Sequence, residues 1–381
     1  MKKKMVLLYA TYGSGHKAIA NYINNYFNDH NNSYEILLID VLDYAMPYLG
    51  RFSKWANETL MLKFPSLWNI VYQSSNYHLS GKISADISMN LFKNKQLEKL
   101  ICDFNPDICL CTHFFGAELV KRYIKKGMID PTIVNIITDY DPHQFWINHP
   151  RSKDYYVVGS NDVKQSILSL SKIEPDHIMP FGIPIHPVVP DNFNVIKAKK
   201  KYLIDNDNLT CVFFGGGGNG SLASLKYLKR LIKSNLPLNV IFITGKNEKC
   251  KKKADNLVEE YNADNVIVLG FCNNVPELLQ LADFVITKPG GVQTTECIYF
   301  GKPMILINSS GGQENANYKY LVELDYAKKF KTVFFFNRYL KKICREPKII
   351  LSKRDNINEN TAKESMQKLY GLVEEIIKDV K

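Results

Sequence analysis

No stretch of this 381-residue chain approaches the ~20 consecutive apolar residues that a membrane-spanning helix requires, so no span is expected. Its eight cysteines contain no CxxC pair, and neither a dithiol redox motif nor a paired-cysteine metal site is expected. Cys109 and Cys111 alternate along an apparent strand, as buried thiols of a reducing compartment do. Beyond two similar halves there is no internal repeat, and there is no low-complexity tract. Met1-Lys2-Lys3-Lys4 imitates the start of a signal peptide. The apolar run behind it ends at Ala10, too short for an h-region, so the chain is expected to stay in the cytoplasm.

What is present fits a soluble globular protein: 45% hydrophobic and 23% charged residues. The length exceeds one hydrophobic core and predicts two domains. Net charge is +11 and unevenly spread, with 19 basic and 17 acidic residues up to position 190 but 30 and 21 beyond it. Lysine clusters at 249–253, 328–331 and 341–345 would attract an anionic membrane surface or a nucleic acid. No recognised nucleic-acid motif accompanies them, so nucleic acid is not an expected partner.

Short apolar runs separated by helical patterns predict buried parallel strands at 5–10, 35–40, 108–112, 132–138 and 155–159. A second set falls at 210–214, 239–244, 266–269, 284–287 and 304–307, with helices between, for example over 221–234 and 275–282. The pattern predicts an α/β fold of two successive doubly wound halves. Pro184, Pro187 and Pro190 make 181–190 a stiff connector between them. Domains are expected at 1–187 and 188–350, followed by a helical segment at 351–381 whose apolar residues include Met366, Leu369, Leu372, Ile376 and Ile377.

Three glycine loops carry the chemistry. In the second half, the strand 285–287 runs into Lys288-Pro289-Gly290-Gly291 and a helix bearing Glu296. Glycines there let a diphosphate approach the backbone, while amides and the helix dipole favour the anion. Glu296, about one and a half turns in, can accept hydrogen bonds from two ribose hydroxyls. The next strand ends in Gly311-Gly312-Gln313-Glu314-Asn315, which offers amide and carboxyl groups to a sugar ring. A second loop, Phe214-Gly215-Gly216-Gly217-Gly218-Asn219-Gly220-Ser221, again joins strand to helix, and its run of glycines favours close ligand approach at Gly217 and Gly218. The first half opens with Gly13-Ser14-Gly15-His16-Lys17-Ala18. Lys17 precedes Ala18, so it is no Walker A loop, but it satisfies the GxGxxA dinucleotide fingerprint, with Asp40 where an NAD ribose ligand belongs.

The segment 285–317 resembles the donor half of GT-B glycosyltransferases that use UDP-sugars. More closely, it is similar to the monogalactosyldiacylglycerol synthases, the processive diacylglycerol glucosyltransferases and their relative acting on a lipid-linked peptidoglycan precursor. The resemblance implies a GT-B fold of two Rossmann-like domains with an interdomain cleft, the C-terminal helix crossing back onto the first. It implies an inverting hexosyltransferase that takes glucose or galactose from a UDP-hexose to the hydroxyl of diacylglycerol. No cofactor is implied, the UDP-sugar being a co-substrate. Gly13-Ser14-Gly15-His16 matches the family's GxGH, which makes His16 the expected base; a helix N-terminus keeps such a ring neutral. Thr112-His113 and Thr138-Asp139 match its THxx and TDxx patterns, which brings in His113 on the acceptor side with Gly15, and Asp139 as the acidic alternative to His16. Phe271, after Gly270, falls where the family meets uracil. The glycine-serine loop of the family is shorter than residues 214–221, which leaves the phosphate contacts open. Asp139-Tyr140-Asp141 spells DxD, the metal motif of another glycosyltransferase fold, but glycine loops and helix dipoles can neutralise the leaving group and no metal is expected.

Residues 44–92 break the alternation with aromatic residues, Trp55, Phe64 and Trp68 among them, interleaved with Arg51, Lys54 and Lys63. Such a mixture favours a bilayer interface, and the family's equivalent insertion is associated with acceptor and membrane contact. The expected location is therefore peripheral, on the inner face of the cell membrane. Three alternatives stay open: another lipid-linked acceptor such as a peptidoglycan precursor, an NAD-dependent oxidoreductase, and a non-catalytic UDP-sugar sensor. The oxidoreductase leaves Glu296 and Gln313-Glu314 without a role, and the sensor has no use for His16.

Overall fold

A computed structural model describes residues 2–11, 14–30, 33–44, 94–216, 218, 220–307, 312–330 and 332–379. The aromatic-basic insert, with Trp55, Phe64 and Trp68, lies outside the described residues, as does Gly217. The chain divides into two units. The first comprises Met1–His186, Ser310–Ala316 and Thr361–Lys381; the second comprises Pro187–Ser309 and Asn317–Asn360.

Six parallel strands build the first unit: β1 (Lys3–Tyr9), β2 (Tyr34–Asp40), β3 (Ile108–Cys111), β4 (Thr132–Ile136), β5 (Tyr155–Val157) and β6 (Ile178–Met179), in the order β2-β1-β3-β4-β5-β6. Met5 to Leu8 of β1 are wholly buried because helices cover both faces of a parallel sheet. β1 pairs with β3 from Met5↔Ile108 to Leu8↔Cys111, so the residues after both strands emerge at one edge. Val6, Leu8, Cys109, Cys111, Val120 and Ile133 share one core cluster, each fully buried aliphatic side chain contributing roughly 1.5–3 kcal/mol.

The second unit repeats the scheme with β7 (Leu209–Phe214), β8 (Leu238–Ile243), β9 (Val266–Leu269), β10 (Phe284–Thr287), β11 (Met304–Leu306) and β12 (Ala327–Lys329). Their order, β12-β11-β10-β7-β8-β9, is the doubly wound dinucleotide-fold order, with its reversal between β7 and β10. β6 and β12 have no counterpart among the expected strands. One is two residues long and the other a three-residue edge strand, too short to carry a periodic pattern. The helix expected over 221–234 begins instead as a 3-10 turn, Leu222–Ser224, and is α-helical only over Leu225–Ile232. Ser221 Oγ accepts from the Ala223 amide and Ser224 Oγ donates to the Gly215 carbonyl, which holds the tighter turn.

Across 181–190 there is no regular structure, as three prolines dictate. The final helix, Ser365–Asp379, lies against Gly15–His30 within the first unit: Phe27 and Tyr370 rings are 4.9 Å apart and Tyr34 donates to Glu374. Met366, Leu369, Leu372, Ile376 and Ile377 are all buried. The chain enters this region past Gly182, whose φ is +90° and whose missing side chain leaves room for the Thr361 carbonyl; a Cβ would stand 2.4 Å from that oxygen. Gly182→Ala should therefore destabilise the first unit by about 1–3 kcal/mol, through backbone strain and displacement of the returning segment. Urea unfolding followed by circular dichroism checks this, and an unchanged midpoint would show that the segment tolerates the displacement.

Candidate active site

In the first unit the order reverses between β1 and β3, and ligands of open parallel sheets bind beyond the carboxyl ends at such a point. There β1 leads into Gly15–His30, with Gly15 opening the helix and His16 its second residue, while β3 leads to Thr112 and His113. His16 Nδ1 lies 2.6 Å from the Thr112 carbonyl oxygen and 3.3 Å from Thr138 Oγ1, just beyond β4. The Thr112 hydroxyl donates in return to the His16 carbonyl at 3.1 Å. A carbonyl can only accept, so Nδ1 carries the proton and Nε2 presents the lone pair. Burial lowers the imidazole pKa to about 4, against the raising effect of the Thr112 bond, so the ring is neutral at pH 7.

His113 stands edge-on to His16, ring centroids 4.8 Å apart. Its Nδ1 accepts from the Phe115 amide at 3.2 Å and caps the helix Phe114–Lys125. Burial, then the nearness of His16 and His143, holds its pKa well below the ordinary histidine range. Asp139 is half-buried and directly follows Thr138, one residue from the contact with His16. The Asp40 carboxylate is engaged by the Thr11 amide and hydroxyl and by the Leu42 amide, so it holds the β1 loop in place rather than standing ready for a ribose. That takes Asp40 away from the dehydrogenase alternative.

In the second unit the loops after β7 and β10 flank the switch point. Their glycines differ in kind. Gly216 (φ +125°) and Gly220 (φ +64°) are demanded by the loop itself, since a Cβ would lie 2.6 Å from Ser221 Cβ and 2.0 Å from the Thr244 carbonyl, respectively. Gly218 contributes its carbonyl to the Lys246 amide at 2.9 Å. Gly290 has an ordinary φ of −80°, and a Cβ there would meet nothing within 4 Å. It is the N-cap of the helix Gly291–Tyr299, which no side chain caps and whose first turn holds no acid. Thr294 and Thr295 hydroxyls bond back to the Gly290 and Gly291 carbonyls, and no side chain caps the first amides of this helix.

Glu296 is half-buried in the same helix. Phe271, which the sequence left between core and ligand wall, is 54% exposed, with Lys246 Nζ 4.9 Å from its ring centroid. Gln313, which belongs to the first unit, opens the helix Gln313–Glu323, and its Oε1 is buried with no hydrogen-bond partner, a cost of about 1–3 kcal/mol. Glu314 beside it is buried. Asn317 Nδ2 donates to the Pro289 carbonyl at 3.1 Å and ties this helix to the glycine turn. Lys246 and Asn317 were not singled out from the sequence. A glycine-lysine pair closing β8 was the available signal for the first; Asn317 gave none. A cavity of about 440 Å³ in the first unit is lined by Gln144, Ile147, His149 and Ser169 to Lys172, and by none of these residues. Among the described residues no group of three or more His, Cys, Asp or Glu is disposed to hold a metal, and no helix is long and apolar enough to cross a membrane.

Residues 16–185 match the monogalactosyldiacylglycerol (MGDG) synthase model and residues 210–376 match the glycosyltransferase family 28 C-terminal domain. The chain's two halves are thus similar to the monogalactosyldiacylglycerol synthases and to family 28 glycosyltransferases. The chain is 29% identical over 320 residues to the processive diacylglycerol beta-glucosyltransferase of Bacillus pumilus (strain SAFR-032), covering 83% of this chain and 80% of that one. The Bacillus subtilis (strain 168) protein of the same name is 28% identical over the same shares. The fold is that of the Staphylococcus aureus MnaA–UDP structure (TM-score 0.63, 14% identity, 99% and 97% of the two chains). It is shared by the UDP-GlcNAc 2-epimerase of Neisseria meningitidis bound to UDP-GlcNAc (TM-score 0.62, 12% identity, 98% and 100%).

The His16 environment yields a direct spectroscopic expectation. Nitrogen-edited NMR of the ring should show the Nδ1–H tautomer at neutral pH and a titration midpoint near 4. Because this folded pKa lies below the unfolded 6.5, the unfolded chain binds the extra proton first, and stability should fall as pH drops from 6.5 toward 4. A midpoint near 6.5 would show a solvated ring without the Thr112 clamp.

Proposed function

We propose that this enzyme transfers a hexose from a UDP-sugar to the hydroxyl of diacylglycerol, with inversion at the anomeric carbon, while held peripherally at the inner face of the cell membrane. The observation that carries the reading is the His16 clamp: a neutral imidazole with Nδ1 committed to a carbonyl and Nε2 set to take a proton. A sensor needs no such group. Nε2 removes the acceptor hydroxyl proton as that oxygen attacks the sugar C1. The bond from C1 to the β-phosphate oxygen breaks, and UDP leaves with the electron pair.

Each remaining residue takes a part in the same step. The N-terminal amides of Gly291–Tyr299, reached across Gly290 and Gly291, stabilise the departing diphosphate, a task the glycine loop after β7, with Gly217 and Gly218, shares. Glu296 accepts from the ribose hydroxyls, and Phe271 with Lys246 walls the uracil. Gln313 and Glu314 read the sugar hydroxyls. Asp139 and His113 border the acceptor beside His16. The names of the Bacillus relatives favour glucose among the hexoses. Trp55, Phe64 and Trp68 in the insert supply apolar anchoring to the bilayer, with diacylglycerol drawn from it.

Incubating the protein with radiolabelled UDP-glucose and UDP-galactose over diacylglycerol vesicles should yield a labelled glycolipid. His16→Ala should slow that transfer about a hundredfold with near-normal UDP affinity. Glu296→Ala should weaken UDP binding by about 1.5–3 kcal/mol, measured by calorimetry. Label that enters no lipid would remove diacylglycerol as acceptor, and full turnover by the His16 variant would reduce that residue to a helix-terminal packing role.

A further inference from the structure

The helix Val333–Arg345 follows edge strand β12 in the second unit. Phe336, Leu340 and Ile343, at helical spacing, are buried in the unit's core. Its opposite face is open to solvent and of unusual composition. Phe334 and Phe335 are 63% and 54% exposed, their rings 5.5 Å apart, and Arg338, Lys341, Lys342 and Arg345 continue the same exposed side. The helix Leu225–Ile232 packs alongside, Tyr227 against Phe336 at 5.1 Å, and turns Lys226, Lys229 and Arg230 outward. Neither helix contains an aspartate or glutamate.

Both features cost free energy in water. The helix is already anchored by its buried face, so two exposed phenylalanines beside each other add apolar surface without adding core. Seven cations on two packed helices repel one another with no acid between them. A surface with anionic head groups over an apolar layer relieves both. We infer that this face docks on an anionic lipid bilayer, Phe334 and Phe335 entering the interface and the basic stripe lying against phosphate head groups. The inference rests on the lipid-acceptor reading above and adds to it a second membrane contact, carried by the donor half. A nucleic acid would meet the charge but not the aromatic pair, which sits at one end of the stripe instead of being interleaved along it. A second copy of the chain would bring like charges face to face.

The test is vesicle flotation of the full chain on phosphatidylcholine and on equimolar phosphatidylcholine and phosphatidylglycerol. Wild type is compared with an Arg338→Gln, Lys341→Gln, Arg345→Gln variant and with a Phe334→Ser, Phe335→Ser variant. The first should lose roughly a hundredfold in partitioning on anionic vesicles, about a factor of five for each basic side chain near the surface. The second should partition less on both compositions. UDP affinity and circular dichroism should match wild type in both, since these side chains lie on the surface. If both variants float as wild type does, this face is not the docking surface, and the lipid reading stands on the insert. If wild type floats on neither composition, the docking face and the membrane reading fall together. If the variants lose affinity for a single-stranded oligonucleotide but not for vesicles, the partner is a nucleic acid and the inference is overturned.

Discussion

One hydrogen bond, from His16 Nδ1 to the Thr112 carbonyl at 2.6 Å, organises the chemistry of the first unit. It exists because β1 and β3 are neighbours in parallel register, which delivers the residues after both strands to one edge of the sheet. The bond fixes the tautomer, and with it which nitrogen carries the lone pair. Thr138, arriving beyond β4, closes the ring in from the next strand. Burial keeps the imidazole neutral, so the same packing that orients the ring also keeps it deprotonated. His113, capping the neighbouring helix, is the floor against which the ring stands.

In the second unit the glycines of the strand-end loops differ in what they do. Glycines 216 and 220 are spent on the fold of the loop, and Gly290 is the one whose absent side chain opens space. Behind it lies a helix terminus left uncapped by any side chain. Two further features have little structural justification: in this unit an exposed phenylalanine under a lysine, and in the first unit a buried Gln313 amide oxygen with no partner. Exposed aromatics and orphaned acceptors are costs that a ligand removes.

Much of this was legible in the sequence because parallel strands buried on both faces appear as short apolar runs between helices. β6 and β12 escaped that logic, being too short to show any period. The switch-point loops were visible as glycine clusters at strand ends, yet sequence cannot separate a glycine needed for positive φ from one needed for access; Gly216 and Gly290 look alike until the backbone is seen. Asp40 illustrates the opposite error. Its position suggests a ribose ligand, and only the hydrogen bonds from Thr11 and Leu42 show it occupied. The partner that sets His16 is a main-chain carbonyl, and every residue has one, so no residue type could have announced it.

The pH dependence of kcat/KM for hexosyl transfer tests the central claim most directly, because it reports the ionisation of the free enzyme. A base held neutral by burial must be protonated to fail, so activity should persist down through the mildly acidic range and fall with a midpoint near pH 4, and His16→Ala should abolish that limb. A limb centred between pH 6 and 7, the ordinary range of a solvated histidine, or one that survives in the His16 variant, would contradict the account.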